Sequence, residues 1–557
     1  MNSNRDSLPF VESDVLVVGG GLAGLMAAIG AAEQGAKVVV LDKAHPRRSG
    51  AAATGVDHLF VIIEPEVQLP QFVQRQIDIC EGLADRRLPM LFRHSWDVLM
   101  FLESIGVKVR DSRTGELIWV VIPHMLGQKA TVSIEGGDLK IKLLAEAQRR
   151  GVEVYPRTMA TSLLTVGNKV VGATGVNVRN GTFLAFRSRA AVVATGAILR
   201  MYRAVADLRF NTHHCPYCTG DGQAMAYRVG AELVNMEITT TQPSPKGYSV
   251  AGISGIVSTG AHFLNALGER FMAAYDPVRM ENTSKATMAR AFLEETKAGR
   301  APLYVDFRHL TSEQRELLLR GFREERPIIL EYFKAKGIDL SRDLVEFELH
   351  EFFTGQGPGG GIRLASERCE SSLQGLYAAG DCTGGKGWPA AMGAMIFGRV
   401  AGQQAALHSQ GVESAKVDLD QVEAERRRVY SFVGNQAGLM WQQVEDELKE
   451  VMFDHVGYPR SEAGLKTALD ELERLREDAR RIGARNYHEL MRGLEVNNLV
   501  EISTLIARAA LERRESRLAP FHFRSDYPEK DDANWRGFVV LKREHGIDRV
   551  YFDPISG

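Results

Sequence analysis

Cysteine is scarce in this chain. Five occur among 557 residues, Cys80, Cys215, Cys218, Cys369 and Cys382. So few in so long a chain exclude a disulfide framework and suit a reducing compartment, read here as the cytoplasm. They are also too scattered to hold an iron–sulfur cluster of the usual four-cysteine kind. Long apolar runs are missing too: no stretch of about eighteen uncharged apolar residues occurs, so no transmembrane segment is expected. The opening MNSNRDSLPFVES lacks a basic start and an apolar core and reads as neither secretory signal nor anchor. Charge of one sign is nearly absent, since the formal net charge is -2. That balance gives no electrostatic reason to expect nucleic acid or an anionic membrane as partner. The hydrophobic share of 45% is ordinary for a globular chain. The length exceeds what one core normally serves, so two or three structural units are expected.

What is present begins at Asp14. The stretch to Asp42, DVLVVGGGLAGLMAAIGAAEQGAKVVVLD, strings together the parts of a dinucleotide-binding βαβ unit. Val15 to Val18 make a buried strand, Gly19, Gly21 and Gly24 form GxGxxG, a small-residue helix follows, and Lys37 to Leu41 make a second strand ending in Asp42. Gly19 permits the tight turn, Gly21 lets backbone approach a pyrophosphate, and Gly24 packs helix on strand. The helix N-terminus offers free N–H groups to phosphates. Asp42 can accept hydrogen bonds from both ribose hydroxyls. A lone GxGxxG is weak evidence, but flanking strands and an acid about twenty residues on make this one strong.

Further along, Gly151 to Pro156 and Ser162 to Leu164 read as short β pieces, and Lys169 to Val178 with Thr182 to Phe186 as a hairpin. RAAVVATG at Arg189 to Gly196 and GLYAAGD at Gly375 to Asp381 are two short strands that bracket an insert. Within it, Ser284 to Lys297 and Ser312 to Lys336 have helical periodicity with charges outward. From about Val417 the pattern is helical almost throughout, with heptad-like apolar positions in Leu465 to Ile482 and Leu499 to Leu511. The charge runs Glu423 to Arg428 and Glu471 to Arg481 are solvated helix faces. The fold class is therefore α/β. A Rossmann-like nucleotide-binding domain spans 1–240 and 351–416, an inserted α+β capping domain spans 241–350, and a C-terminal helical domain spans 417–557.

With GGGLAGL, ATG at Ala194 to Gly196 and AAGD at Ala378 to Asp381, the chain resembles the FAD-dependent succinate dehydrogenase and fumarate reductase flavoprotein family nearly end to end. Further matching pieces are Arg48 to Gly55 (RSGAAATG), Glu135 to Asp138, Cys218 to Gly222 (CTGDG), Gly268 to Met272 (GERFM) and Phe397 to Arg399. Glu515 to Arg517 and Phe523 to Trp535 extend the match into the tail. The resemblance implies that Gly19, Gly21, Leu22, Ala23, Gly24 and Asp42 hold the ADP half of FAD, with Lys43 flanking the adenosine. It implies that Ser49, Gly50, Ala51 and Gly55 approach the flavin ring, and that Gly380 and Asp381 serve the ribityl and pyrophosphate region. Ala160, Ala194, Thr195, Gly196, Thr219, Asp221, Ala394 and Ile396 complete the implied cofactor contacts. Small residues beside the ring let backbone donors reach it. Respiratory members carry the flavin on a histidine near this segment. RSGAAATG has none at that point, so a dissociable, non-covalent FAD is expected, with His45 just upstream as the position to check.

The departures bear on substrate. The family's HPT motif, whose histidine binds a substrate carboxylate, is replaced after Met236 and Glu237 by Gln242, Pro243 and Ser244. The RGEGG segment before GERFM reads VSTGA at Val257 to Ala261, and Gln356 in GQGPGGGI stands near where a substrate histidine is expected. The arginine-bearing loop after AAGD becomes GGKGWPAAM, Gly384 to Met392. Uncharged replacements cannot clamp a carboxylate, which argues against succinate, fumarate or aspartate. The altered pocket looks more like the branch containing the flavoprotein subunit of adenylylsulfate reductase.

Four residues are the candidates for catalysis. Lys386 can bind an anionic substrate or, desolvated, donate a proton, against the alternative of a solvated loop lysine. Trp388 can stack on a flat substrate or pack between lobes. Gln242 and Gln356 can hydrogen-bond a neutral substrate group or serve ordinary loop structure. His213, His214, Cys215 and Cys218, in HHCPYC, can ligate zinc or run thiol chemistry. No second CxxC or paired histidines follow, so no metal is assigned. His58 and His124 are pocket-lining or interior histidines. His522, near the ESR element, is read as part of the helical tail.

The leading expectation is an FAD oxidoreductase moving a hydride between flavin N5 and a small non-dicarboxylate substrate, held where the inserted lobe closes over the nucleotide-binding domain. Lacking cluster cysteines of its own, it would exchange electrons with a small iron–sulfur or ferredoxin-like subunit. The alternatives are a stand-alone dehydrogenase or oxidase using oxygen or quinone, and a flavin electron-relay subunit without its own substrate. The oligomeric state is open.

Overall fold

The computed structural model describes residues 10–120, 130–203, 210–250, 252–388, 390–435 and 437–555. Strand Phe10–Val18 lies inside a seven-stranded sheet. It pairs in parallel with Val38–Asp42 on one side and with Phe183–Val193 on the other. Helix Leu22–Glu33, the crossover between the first two strands, is buried along its first ten residues. It packs closely on helix Ala390–Gln410. A Cβ at Gly398 or Gly402 would fall 2.2 or 1.9 Å from the carbonyl oxygens of Ala23 and Ala27. That approach brings the start of Ala390–Gln410 beside the glycine turn, which is what assembles a cleft from segments far apart in the chain.

The hairpin strand expected at Thr182 to Phe186 and the separate strand expected at Arg189 are one element, Phe183–Val193. Phe183 to Arg187 pair antiparallel with Lys169–Asn177, Ala185 to Val193 run parallel to Phe10–Val18, and Ala191 to Val193 run parallel to Leu376–Ala378. The polar RSR, Arg187 to Arg189, at the junction of those two expected pieces continues the strand alternation. Ser188 points inward, while Arg187 and Arg189 reach Glu12 and Asp14 on the neighbouring strand at 2.7 Å.

The insert builds a four-stranded antiparallel sheet from Pro243–Pro245, Val345–Leu349, Leu303–Asp306 and His262–Leu264. It has its own apolar core, including Phe263, Phe292, Phe322 and Phe333. The helical pattern over 312–336 splits into Ser312–Glu325 and Pro327–Lys336. Pro327 has no N–H and keeps the preceding residue out of the α region, so Arg326 sits at φ -138°, ψ 53° and leaves the helical path.

Four helices, Leu419–Ser431, Trp441–His455, Glu462–Arg480 and Tyr487–Glu512, dominate the C-terminal part. The end of the chain departs from the helical reading. Gly537–Glu544 and Ile547–Pro554 form a hairpin closed by His545 (φ 50°) and Gly546 (φ 79°), a turn whose twist suits paired strands. The hairpin completes a second sheet with Leu233–Val234 and Gly361–Ile362. Among the described residues, no helix is long and apolar enough to cross a membrane.

Candidate functional site

A cleft open to solvent runs from the glycine turn to the inserted lobe. Gly19, Gly21, Leu22, Ala23, Asp42 and Lys43 line one end of this wall, and Ser49, Gly50, Ala51, Gly55 and Ala160 continue it. Ala194, Thr195, Gly196, Asp221, Gly380, Asp381 and Ala394 also line it. Three residues expected there do not. Gly24 faces the strand, where an added Cβ would meet the Gly19 carbonyl oxygen at 1.7 Å. Ile396 is fully buried in the core. Thr219 lies behind the wall, its Oγ1 donating to Asp221 at 3.0 Å and accepting from Lys43 at 3.0 Å.

The lining residues fit an adenine dinucleotide. A Cβ at Gly21 would meet no atom within 4 Å, so the turn leaves open space where a pyrophosphate must come close. Asp42 is more occupied than its position suggests. One carboxylate oxygen accepts from Gly20 N at 2.7 Å and Ser49 Oγ at 2.9 Å, and the other accepts from Ala44 N at 2.8 Å. A carboxylate has about four lone-pair sites, so Asp42 has room for one ribose hydroxyl rather than two. Lys43 is committed to a buried charge network. Its ammonium lies 2.7 Å from Asp221 and 2.8 Å from Glu495, and Glu495 in turn meets Arg200 and Arg492 at 2.8 and 2.7 Å. Burial alone would lower the Lys43 pKa, but the two carboxylates overcome it and raise the group above its ordinary range. His45 is exposed and outside the lining, its Nδ1 accepting from Arg47 N.

At the lobe end Gln242, Gln356 and Trp388 line the cleft beside His213 and His214 of the HHCPYC segment. Gln242 Nε2 donates to Gln356 Oε1 at 3.1 Å, and Gln356 Nε2 lies 3.2 Å from His214 Nε2. The His213 ring stacks on His350 at 4.2 Å between centroids. Burial, then neighbouring positive charge, holds His213 well below its ordinary value and His214 at about 3, so both are neutral near pH 7.

Two cations face the same space. Lys285 Nζ lies 4.7 Å from the centroid of Trp388 and, among the described residues, is within ion-pair distance of no carboxylate. Its pKa falls to about 8, through burial first and the charge of Arg326 second. Arg326 is 4% exposed, packs on Gly252 and pairs with Glu325, while its Nε has no hydrogen-bond partner. Nearby, Asp57 contacts His58 Nδ1 at 2.6 Å and sits at about 2, because His58 and Arg326 outweigh the opposing effect of burial. His58 lines the cleft, and His124 lies outside the described residues. The sequence signals that could have found these cations were the Arg326-Pro327 pair and a lysine just after the Ser284 cap.

Lys386 departs from its expected place. It does not line the cleft; it is 1% exposed, and its ammonium donates to the carbonyl oxygens of Gly355, at 2.8 Å, and Thr383. It ties two loops rather than facing a substrate. Among the described residues, no group of three or more His, Cys, Asp or Glu side chains is arranged to hold a metal ion.

Comparison with known proteins agrees with this geometry. Residues 14–395 match a family described as FAD binding domain, and residues 445–555 match one described as fumarate reductase flavoprotein C-term. An uncharacterized FAD-dependent oxidoreductase of Methanocaldococcus jannaschii is 26% identical over 98% of both chains. One of the subunits of the CoM/CoB fumarate reductase of Methanothermobacter marburgensis is 28% identical over 96% of this chain and 97% of its own. The solved structure of adenylylsulfate reductase from Archaeoglobus fulgidus has the same fold, with a TM-score of 0.89 at 23% identity over 99% of this chain and 97% of that one.

Proposed function

Because the chain belongs to the FAD-dependent fumarate reductase and succinate dehydrogenase flavoprotein family of oxidoreductases, we propose that it carries out a two-electron oxidation or reduction of a small anionic substrate that is not a dicarboxylate of the succinate type. The observation that carries this reading is the pair of cations, Lys285 and Arg326, facing the cleft where the family's histidine and arginine signatures are missing. FAD, when bound, supplies the two-electron chemistry. The glycine turn, Asp42 and the small residues at Ser49 to Gly55 hold it without a covalent bond.

Lys285 and Arg326 hold the substrate's negative group, and Arg326 Nε offers a donor not used within the protein. Lys285, near neutrality in its proton affinity, can keep or release a proton at its Nζ as the substrate gains or loses one. Gln242, Gln356 and neutral His214 form a chain of amide and imidazole groups that orients a polar but uncharged part of the substrate. Trp388 and Phe521 shield the space from water.

The test is a titration of the yellow holoprotein with sulfite, small enoates and aromatic acids, followed by visible spectrum and thermal shift. A saturable response that Lys285→Met weakens supports the reading. The same response in wild type and K285M would overturn it.

Electron exchange with a small iron–sulfur or ferredoxin-like subunit in the cytoplasm belongs to the same reading, supported by relatives named as flavoprotein subunits and by the scattered cysteines. Rapid reoxidation of the dithionite-reduced chain in air, with full turnover on oxygen alone, would instead support a stand-alone oxidase.

A further inference from the structure

A second, smaller cavity lies where the inserted lobe meets the strand His58–Phe60, and among the described residues it opens to solvent. Asp57, Ser133, Ser258, Arg320 and Glu324 give it a polar lining. None of the residues assigned to the cofactor lines it, so FAD in the main cleft does not fill it. Two residues line both spaces, His58 and Arg326. Arg326 cannot pass a proton from one to the other, because a guanidinium keeps its charge in proteins. Imidazole can, since it is the side chain that changes charge between pH 5 and 8. Lys285 lines the main cleft alone, so it can hold a proton there but not exchange it with this cavity.

The histidine is held in one orientation. Its Nδ1 lies 2.6 Å from Asp57 Oδ1, while its Nε2 makes no hydrogen bond among the described residues. With the carboxylate charged, Nδ1 carries the proton that Asp57 accepts and Nε2 is left to exchange. Asp57 is fixed in turn. Its carbonyl oxygen accepts from Ile134 N at 2.8 Å. Its Oδ2 lies against two glycines of the lobe, where an added Cβ would come within 2.9 Å at Gly321 and 3.7 Å at Gly255. The charged groups around the pair are Arg320 and Glu324 on helix Ser312–Glu325, Arg326 after it, and Arg75, Lys285 and Glu325 along the main cleft. Strand Thr131–Ser133, Val120 and helix Ile253–Ser258 bring only apolar and hydroxyl side chains.

We propose that His58, with Asp57 as its positioning residue, takes a proton from the second cavity as the main cleft gains an electron pair, and gives that proton to the substrate. In the reducing direction the substrate gains a hydride and, from His58 Nε2, a proton. The Nε2–H bond breaks as the substrate's new bond forms, and water in the second cavity returns a proton to the ring. Oxidation runs the same exchanges backwards. The electron pair is that of the two-electron reaction proposed above, so no further oxidant or reductant enters. This inference rests on that two-electron reading, but not on which anion the cleft holds.

The test is the midpoint potential of the holoprotein's flavin, measured anaerobically against redox dyes from pH 6 to 9, which needs no identified substrate. Wild type should bind one proton more per electron pair than His58→Gln, so where His58 titrates its potential should fall about twice as steeply with pH. Asp57→Asn removes the anion beside the ring and should move the steep segment to lower pH. Diethyl pyrocarbonate, which acylates accessible neutral imidazole, should label the peptide holding His58 in yellow wild type and abolish the extra proton. Hydroxylamine should restore it. Equal slopes in wild type and H58Q, or an unlabelled His58 in the holoprotein, would overturn the proposal. If H58Q does not keep its flavin, acylated and hydroxylamine-treated wild type decide alone. The anion reading falls on a different result, an unchanged anion response in K285M.

Discussion

Lys43 Nζ lies 2.8 Å from Glu495 Oε1, joining the end of the second nucleotide-binding strand to the long helix Tyr487–Glu512. Glu495 is fully buried, as is its other partner Arg200. This wall of the cleft and the C-terminal helices are thus held by one desolvated charge network rather than by apolar packing alone.

Removing Glu495 should unfold the protein more readily. Glu495→Gln leaves Lys43, Arg200 and Arg492 short of a countercharge, and stranding buried charge costs about 3 kcal/mol or more. Burial raises the Glu495 pKa, but the three cations bring it down to about 2, against about 4.3 unfolded. Its contribution is present above the unfolded value and is lost as pH falls toward 2. Chemical denaturation of wild type from pH 6 down to 2.5 should show that loss, and E495Q should lack this component of the pH dependence.

Two glycines of the turn should fail in different ways. Gly24→Ala forces a Cβ against the Gly19 carbonyl, so the apoprotein itself should lose stability. A Cβ at Gly21 meets no neighbour in the fold, and Gly21→Val directs its branched carbons into the approach of the pyrophosphate. It should keep the apoprotein melting point and lose the visible flavin absorbance. A yellow G21V would contradict the cofactor placement.

Anion binding should weaken with rising pH. Lys285 loses its charge above about pH 8, so KM for an anionic substrate held by that charge should rise about fiftyfold between pH 8 and 10. Lys285→Arg, charged throughout, should flatten the profile. His213 and His214 are already neutral, so no inflection near 6.5 is expected from them.

Lys386→Met should act on stability and not on KM, because it orphans the carbonyl oxygens of Gly355 and Thr383 at about 1–3 kcal/mol each. Gln356→Leu removes the link between Gln242 and His214. It should lower kcat/KM by about tenfold with flavin content unchanged. Steady-state kinetics beside flavin absorbance separate the two.

Much of this protein was legible from local pattern, because a dinucleotide-binding turn needs glycine at fixed spacing between strands and states its requirement in sequence. The long strand Phe183–Val193 was harder to read. Its polar RSR falls at the junction of two pieces, and the acids that pair with it lie on a distant strand. The closing hairpin was lost among helical neighbours, although GFVVLKRE holds the short aromatic and β-branched run of a strand.

The glycine turn, the family and the FAD cofactor follow from the chain alone, since a dinucleotide-binding turn states its residue types and spacing one residue at a time. Which cations face the cleft was decided only in three dimensions. A lysine's role depends on what surrounds its ammonium, and Lys386 found two carbonyls while Lys285 found an open cleft. Pro327 turned Arg326 out of its helix toward that same space, a consequence visible only when the lobe is folded against the sheet.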